Sequence, residues 1–457
     1  MALVLQALPV LAVWMWTRRM TALSAGTRLA AALGIGLGMG STLLFLWRLG
    51  GGSTATFAVV DPALWVVAIL AALALASAST IADTDQPRRG TRHPWRVLLL
   101  ILGLSLAGVA GAIVWTRSAG MPYGDWDAWA IWNLHARFLA DPSLLWLNAF
   151  APDLAWSHPD YPLLLPGAVA RAWVFDPQAG ATVPFSIAAA LLLATMLVMV
   201  STLHEHRGAS GALLALSLLL APQFVQIAAS QCADLPLGFF TVLAVALLGA
   251  THPSAATLGL AGVAMGMAAW TKNEGLVVAV LLPCLYVWRV YRRVGFSAAH
   301  QTATDIVVGL YPMLVVLALF KIFVAPENDL VSGMLRPGVL NYWSDPVRVS
   351  FVAREMLTEG LAWGGWPVMG PVLLIPIVAL VRTGPTQRVS DAATSAAALL
   401  VAQLAIFFVI YVMTPHSVAW HLQTSWHRLI AQMWPTAVWW ACVRRSPALE
   451  GRGAACA

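Results

Sequence analysis

Asp125 and Asp127 flank Trp126 within residues 121–165, the longest stretch of this chain without a clean membrane span. In a loop or extended segment, residues two apart point the same way, so the pair could share a metal ion or a proton. Either could instead cap an amphipathic helix over 127–139, with Trp126, Trp129 and Trp132 turned toward a membrane. Further along, His158-Pro159-Asp160-Tyr161-Pro162 is stiff, because each proline also restricts the residue before it. His158 there could orient a carboxylate or bind phosphate; the plain alternative is a proline-rich lead into a helix. The same stretch holds Asp141, Asp153, His135, Arg137, Trp146 and Trp156. Acids interleaved with indoles suggest a structured loop in a membrane–water interface, where carboxylates are costly unless solvated, paired or used.

Three further groups follow. Asp234 is the only charged residue between 209 and 250, in SQCADLPLGFF just before Pro236. A helix N-terminus favours a carboxylate, and a membrane-level acid is otherwise a functional candidate. Lys272, Asn273 and Glu274 interrupt an apolar run from 254 to 288. Lys272 and Glu274 could pair, or Lys272 could grip a phosphate as a compact point charge. Near the C-terminus His421, Gln423, Thr424, His427, Arg428 and Gln432 precede Pro435. Arg428 suits bidentate phosphate contact, with headgroup snorkelling as the competing reading.

These groups need a scaffold, and composition names its class. The chain is 457 residues long, 60% hydrophobic and 10% charged, with a mean hydropathy of +0.77. Soluble domains carry about 25% charged residues, so the expectation is an all-α, polytopic membrane protein. The net charge of +6 calls for no nucleic acid, since most Lys and Arg fall in short inter-helix segments as the positive-inside bias requires. Four scattered cysteines give neither a disulfide framework nor a zinc site. Residues 2–16 read as an uncleaved helix, because Arg18 and Arg19 follow the apolar run instead of preceding it.

Spans of roughly 17–25 apolar residues are expected at 2–16, 29–47, 57–78, 97–116, 181–203, 209–227, 235–250, 254–270, 275–291, 305–325, 366–381, 393–413 and 428–443. The basic clusters at Arg18-Arg19, Arg88-Arg89 to Arg96, His204 to Arg207, Arg289 to Arg293, Arg382 to Arg388 and Arg444-Arg445 are expected in the cytoplasm. The helix count agrees with them only if 161–175, with two prolines and Arg171, does not cross and instead forms a re-entrant or interfacial helix. The loop 118–180, the turns 231–234 and 271–274, and the loops 326–365 and 414–427 then share the outer face. The organisation expected is three N-terminal helices (1–78), a cytoplasmic linker (79–96) that marks a module boundary, a transmembrane module (97–445) and a cytoplasmic tail (446–457).

Taken together, GDWDAWAIWNLHARF, HPDYPLLLP, ADLPLGFF, TKNEG and TSWHRLIAQMWP resemble the GT-C superfamily of integral-membrane glycosyltransferases. The resemblance is to its bacterial branch, near the protein mannosyltransferase and lipid A aminoarabinose transferase families, and covers about residues 97–445. The apolar runs give about 13 transmembrane helices, and the resemblance implies an outer first loop carrying juxtamembrane helices. It also implies a bacterial inner-membrane protein whose site faces outward, taking a sugar from a polyprenyl-phosphate donor to a lipid, glycan or protein acceptor with inversion. By that resemblance Asp127 is the base and Asp125 the runner-up. Asp234 is a second acid for metal or acceptor, with Asp125 and Asp234 the ligands for a divalent ion (Mg or Mn) if one is used. Lys272 and Arg428 hold the lipid phosphate, supported by His158, Asp160, Tyr161, Glu274, His421 and His427. The three leading helices and the lack of a large C-terminal soluble domain depart from the family and leave the acceptor open. A lipid-linked sugar flippase or transporter, and a polysaccharide polymerase or ligase, are the competing readings.

Overall fold

Hydrocarbon offers the backbone no hydrogen-bond partner, so an apolar chain of this kind must satisfy itself within helices. A computed structural model of the protein describes residues 1–77, 94–142, 145–250, 253–365 and 391–443, and these contain helices and no strands. The expected span 366–381, most of the linker 79–96, the tail 446–457 and the basic clusters at 88–89, 382–388 and 444–445 lie outside the described residues. The α-helices are α1 (Ala2–Thr17), α2 (Ala25–Leu49), α3 (Thr54–Ser77), α4 (Pro94–Gly120), α5 (Asn133–Ala140), α6 (Leu164–Phe175), α7 (Thr182–Leu219) and α8 (Pro222–Ala229). They continue with α9 (Asp234–Leu248), α10 (Ala255–Thr271), α11 (Glu274–Val294), α12 (Phe296–Phe323), α13 (Asp329–Met334), α14 (Pro346–Ala362), α15 (Asp391–Met413) and α16 (Val418–Val443). Among the described residues, seven helices (α2, α3, α4, α7, α11, α12 and α15) are long and apolar enough to cross a membrane, which makes this a multi-pass membrane protein.

The centre of the molecule is α9. Every residue from Asp234 to Leu248 is buried, as a helix apolar on all sides requires, and α7, α10 and α16 pack around it. By contrast α3 and α4 expose most of their apolar residues. The expected helices 181–203 and 209–227 are connected differently from the expectation. The chain stays helical from Thr182 to Leu219, broken at Gly208, whose φ of +69° is a conformation glycine adopts at little cost. Pro222 then opens the short α8, which meets α9 at a bend of 115°.

Residues 161–175 contain the 12-residue α6, about 18 Å long and short of a membrane crossing. It does not lie on a surface, because nearly all of it is buried against α2 and α5. Arg171 is neutralised inside the protein: Nε and Nη2 donate to Asp61 of α3 at 3.0 and 2.6 Å, and Nη2 also donates to the Leu5 carbonyl of α1 at 3.0 Å. Its Nη1 donates to Gln6. The three N-terminal helices therefore share the core with the rest of the chain, although the polar linker sets them apart in sequence.

Candidate functional site

Asp234 begins α9, and its side chain is wholly buried. The sequence allowed it to cap the helix, but the cap position is Ala233 and no side chain fills it. The carboxylate is spent on other partners. Its Oδ1 accepts from Gln432 Nε2 at 2.6 Å and Lys272 Nζ at 3.3 Å, and its Oδ2 from Arg428 Nε at 2.8 Å. Arg428 and Gln432 are four residues apart on α16, so one helix face presents both. A buried carboxylate is tolerable only with this degree of pairing.

The chain of charge continues at both ends. Arg428 Nη1 donates to Asp127 Oδ2, and Lys272 Nζ also reaches Glu274 Oε1 at 2.9 Å. Asp127, Arg428, Asp234, Lys272 and Glu274 thus form one line of contacts with three carboxylates and two cations. Arg428 is not snorkelling; its side chain is 18% exposed and paired twice. Lys272 leaves α10 in extended backbone. Burial opposes its charge, but Asp234 and Glu274 outweigh that and raise its pKa above the ordinary lysine value. The tight turn into α11 needs Gly275, because a Cβ there would stand 1.8 Å from the Ala268 carbonyl oxygen.

Asp127 makes no capping bond to the helical turns it introduces, which run through a π-turn at Ala128–Trp132 into α5. Asp125 faces elsewhere: Arg117 Nη2 of α4 holds its two oxygens at 3.1 and 2.9 Å. Each aspartate therefore has its own guanidinium, which is not the shared proton or ion that their spacing allowed. The loop that carries them is stitched to the α8–α9 bend. Gly124 has a φ of +79° and a Cβ there would lie 2.3 Å from the Ser230 carbonyl oxygen. Beside it, Asp125 N donates to that oxygen at 3.1 Å and Gln231 Nε2 to the Pro122 carbonyl at 3.2 Å. A cavity of about 130 Å³ opens here, lined by Asp125, Trp126, Asp127, Cys232, His427 and Arg428 among others.

A second cluster adjoins the first through Asn273. Asp160 Oδ2 accepts from Asn273 Nδ2 at 2.6 Å and Asn328 Nδ2 at 2.5 Å. Lys321 Nζ donates to the Asp160 carbonyl at 2.6 Å and to Asn273 Oδ1 at 2.8 Å. Tyr161 stacks with Trp132 (5.4 Å between centroids) and with His158 (5.2 Å), with Lys272 Nζ 5.7 Å from its ring. Burial, the largest influence, raises the Tyr161 pKa above the ordinary phenol value and keeps it neutral. His158 is in left-handed backbone (φ 48°), which lets the turn place its ring on Tyr161. His427 lines the cavity, whereas His421 sits in a neighbouring group with Thr414 (2.9 Å) and the Tyr411 ring.

Three indoles, Trp126, Trp129 and Trp156, are about half exposed and touch one another at 5.9 and 6.3 Å. Trp132, which the capping alternative turned toward a membrane with Trp126 and Trp129, is instead buried. The donor set does not fit a divalent ion held by Asp125 and Asp234. Cations occupy both oxygens of Asp234 and of Asp125, and among the described residues no three His, Cys, Asp or Glu side chains converge as a metal site.

The sequence reading passed over Arg117, Lys321 and Asn328. The signal for the first two is the same: a lone cation at or near the end of an apolar run, next to a loop rich in acids. Compared with protein-family models, curated proteins and solved structures, the chain shows no match.

Proposed function

We propose that the protein is a membrane glycosyltransferase of the GT-C kind, which moves a sugar from a polyprenyl-phosphate carrier to an acceptor hydroxyl. The observation that carries this reading is Arg428, a part-buried guanidinium that joins the buried Asp234 to the part-buried Asp127 at the edge of a cavity. An acid, two cations and a cavity at the ends of apolar helices suit a donor whose tail stays in lipid while its phosphate and sugar reach a polar mouth. In the reaction the acceptor oxygen forms a bond to the anomeric carbon from the face opposite the phosphate. The bond from that carbon to the phosphate oxygen breaks, and its electron pair leaves with the phosphate. Asp127 takes the acceptor's proton, a role worth on the order of 10²–10⁴-fold. Arg428 and Lys272 stabilise the departing phosphate charge, and Asp234 holds those two cations in place.

On this reading the cluster lies on the outer side of a bacterial inner membrane. About 13 crossings follow if α1, α9, α10, α16, the two limbs of α7 and residues 366–381 join the six other long helices. Vesicles containing the purified protein, a polyprenyl-phosphate sugar and candidate acceptor lipids test the function by mass spectrometry of the products. Sugar attached to an acceptor, with free polyprenyl phosphate released, is the expected result. Donor that crosses the bilayer intact, with no transfer, would replace this reading with the carrier one.

A further inference from the structure

Arg428 faces a difficulty as a phosphate ligand, and the geometry resolves it. Its Nε is committed to Asp234 and its Nη1 to Asp127. The surrounding line of contacts holds three carboxylates against two cations, so an arriving anion competes with a carboxylate for the guanidinium. Glu274 pairs with Lys272, which leaves Asp234 and Asp127 as the competitors. Asp234 is fixed, being fully buried and engaged by Lys272, Arg428 and Gln432. Asp127 is held by Arg428, its side chain is 22% exposed, and it lines the cavity through which a ligand would arrive.

We infer that a phosphate ester entering this cavity displaces Asp127 from Arg428 Nη1, so that one exchange both seats the donor and frees the acceptor's base. The inference rests on the glycosyltransferase reading and adds an order to it. Before donor binds, Asp127 Oδ2 accepts from the guanidinium, and a carboxylate paired with a cation takes up a proton less readily at either oxygen. After the exchange Arg428 spans Asp234 and the phosphate, and the Asp127 carboxylate is open to an acceptor hydroxyl. Donor then binds first and acceptor second. Before donor binds, a water molecule meets a carboxylate that already accepts from Arg428.

Competition for one guanidinium has a signature that a purely structural ion pair lacks: removing the competitor tightens the ligand. The test titrates full-length protein in detergent with farnesyl phosphate, read by calorimetry or by thermal shift. An ion pair at this exposure is weak, so Asp127→Asn should bind the phosphate about fivefold more tightly than wild type. Asp127→Ser serves as a second variant without the carboxylate. Asp125→Asn removes the same charge a few ångströms along the loop, but its partner is Arg117. Its affinity should change by less than about twofold. Equal gains in the two variants would reduce the effect to bulk charge and overturn the exchange. Unchanged or weaker binding by Asp127→Asn, with wild type still binding, would also overturn it and would leave the proposed function standing. Binding by none of these proteins would remove the phosphate site itself, and the function with it.

Discussion

At the scale of single residues, Asp127 is the proposed base, and it makes no capping bond. This sharpens its substitution. Asn keeps the shape and cannot accept a proton at neutral pH, and there is no helix cap for it to lose. Asp127→Asn should melt within a few degrees of wild type while sugar transfer falls by roughly two orders of magnitude or more. Asp125→Asn, next to Arg117, should lose less. Near-normal transfer by Asp127→Asn, in protein shown to bind donor, would remove it as the base. Lone charges in apolar surroundings were legible as a set: Asp127, Asp234, Lys272, Glu274 and Arg428 were all visible because each is expensive in a membrane. Their pairing was not. Asp234 finds Arg428 across 194 positions of sequence, and nothing local distinguishes that partner from a snorkelling arginine. The two-residue spacing of Asp125 and Asp127 was misleading for a related reason. It assumed extended backbone, and the chain enters a helical turn between them.

At the scale of elements, α5 shows how the loop that bears Asp127 is held. His135 is fully buried, and its Nε2 lies 3.1 Å from Ser157 Oγ in the following 3₁₀ segment. Burial first, and the nearby His158 second, lower its pKa from 6.5 to about 4. The sign follows from the unfolded chain, which takes up a proton near 6.5 where the folded protein does not. Stability from this residue is complete above that value and is lost as pH falls from 6.5 toward 4, by up to roughly 3 kcal/mol. Melting temperature should therefore drop over this window, and His135→Gln should flatten the drop even if it lowers stability at neutral pH. A wild-type profile that is flat between pH 7 and 4.5 would defeat the assignment. Amphipathic spacing made the helix over 127–139 readable, but not its π-turn, which turns Trp132 inward onto Tyr161. The break in α7 was equally hidden, because one glycine in an otherwise apolar and helical pattern carries little signal.

At the scale of the whole molecule, apolar length made the membrane class legible, and a composition shift at 79–96 suggested a boundary that packing does not respect. The Arg171–Asp61 pair is the reason. It ties α6 to α3, with Gln6 and the Leu5 carbonyl of α1 completing the guanidinium. Both side chains are fully buried, and α6 follows directly after the turn that carries Asp160 and Tyr161. The N-terminal helices thus help to anchor the second cluster of the site. Removing one partner strands the other charge in an apolar core, so Arg171→Met or Asp61→Leu alone should cost about 3–5 kcal/mol. Together they remove both charges and should cost clearly less than the sum, because the stranded charge is the larger part of each single loss. Melting of the four proteins in one detergent measures the cycle. Additive losses would mean that the pair is incidental and that apolar packing alone joins the first three helices to the rest. A strongly non-additive cycle, with donor binding weakened in the singles and recovered in the double variant, would make α1 and α3 part of the machinery that positions the site.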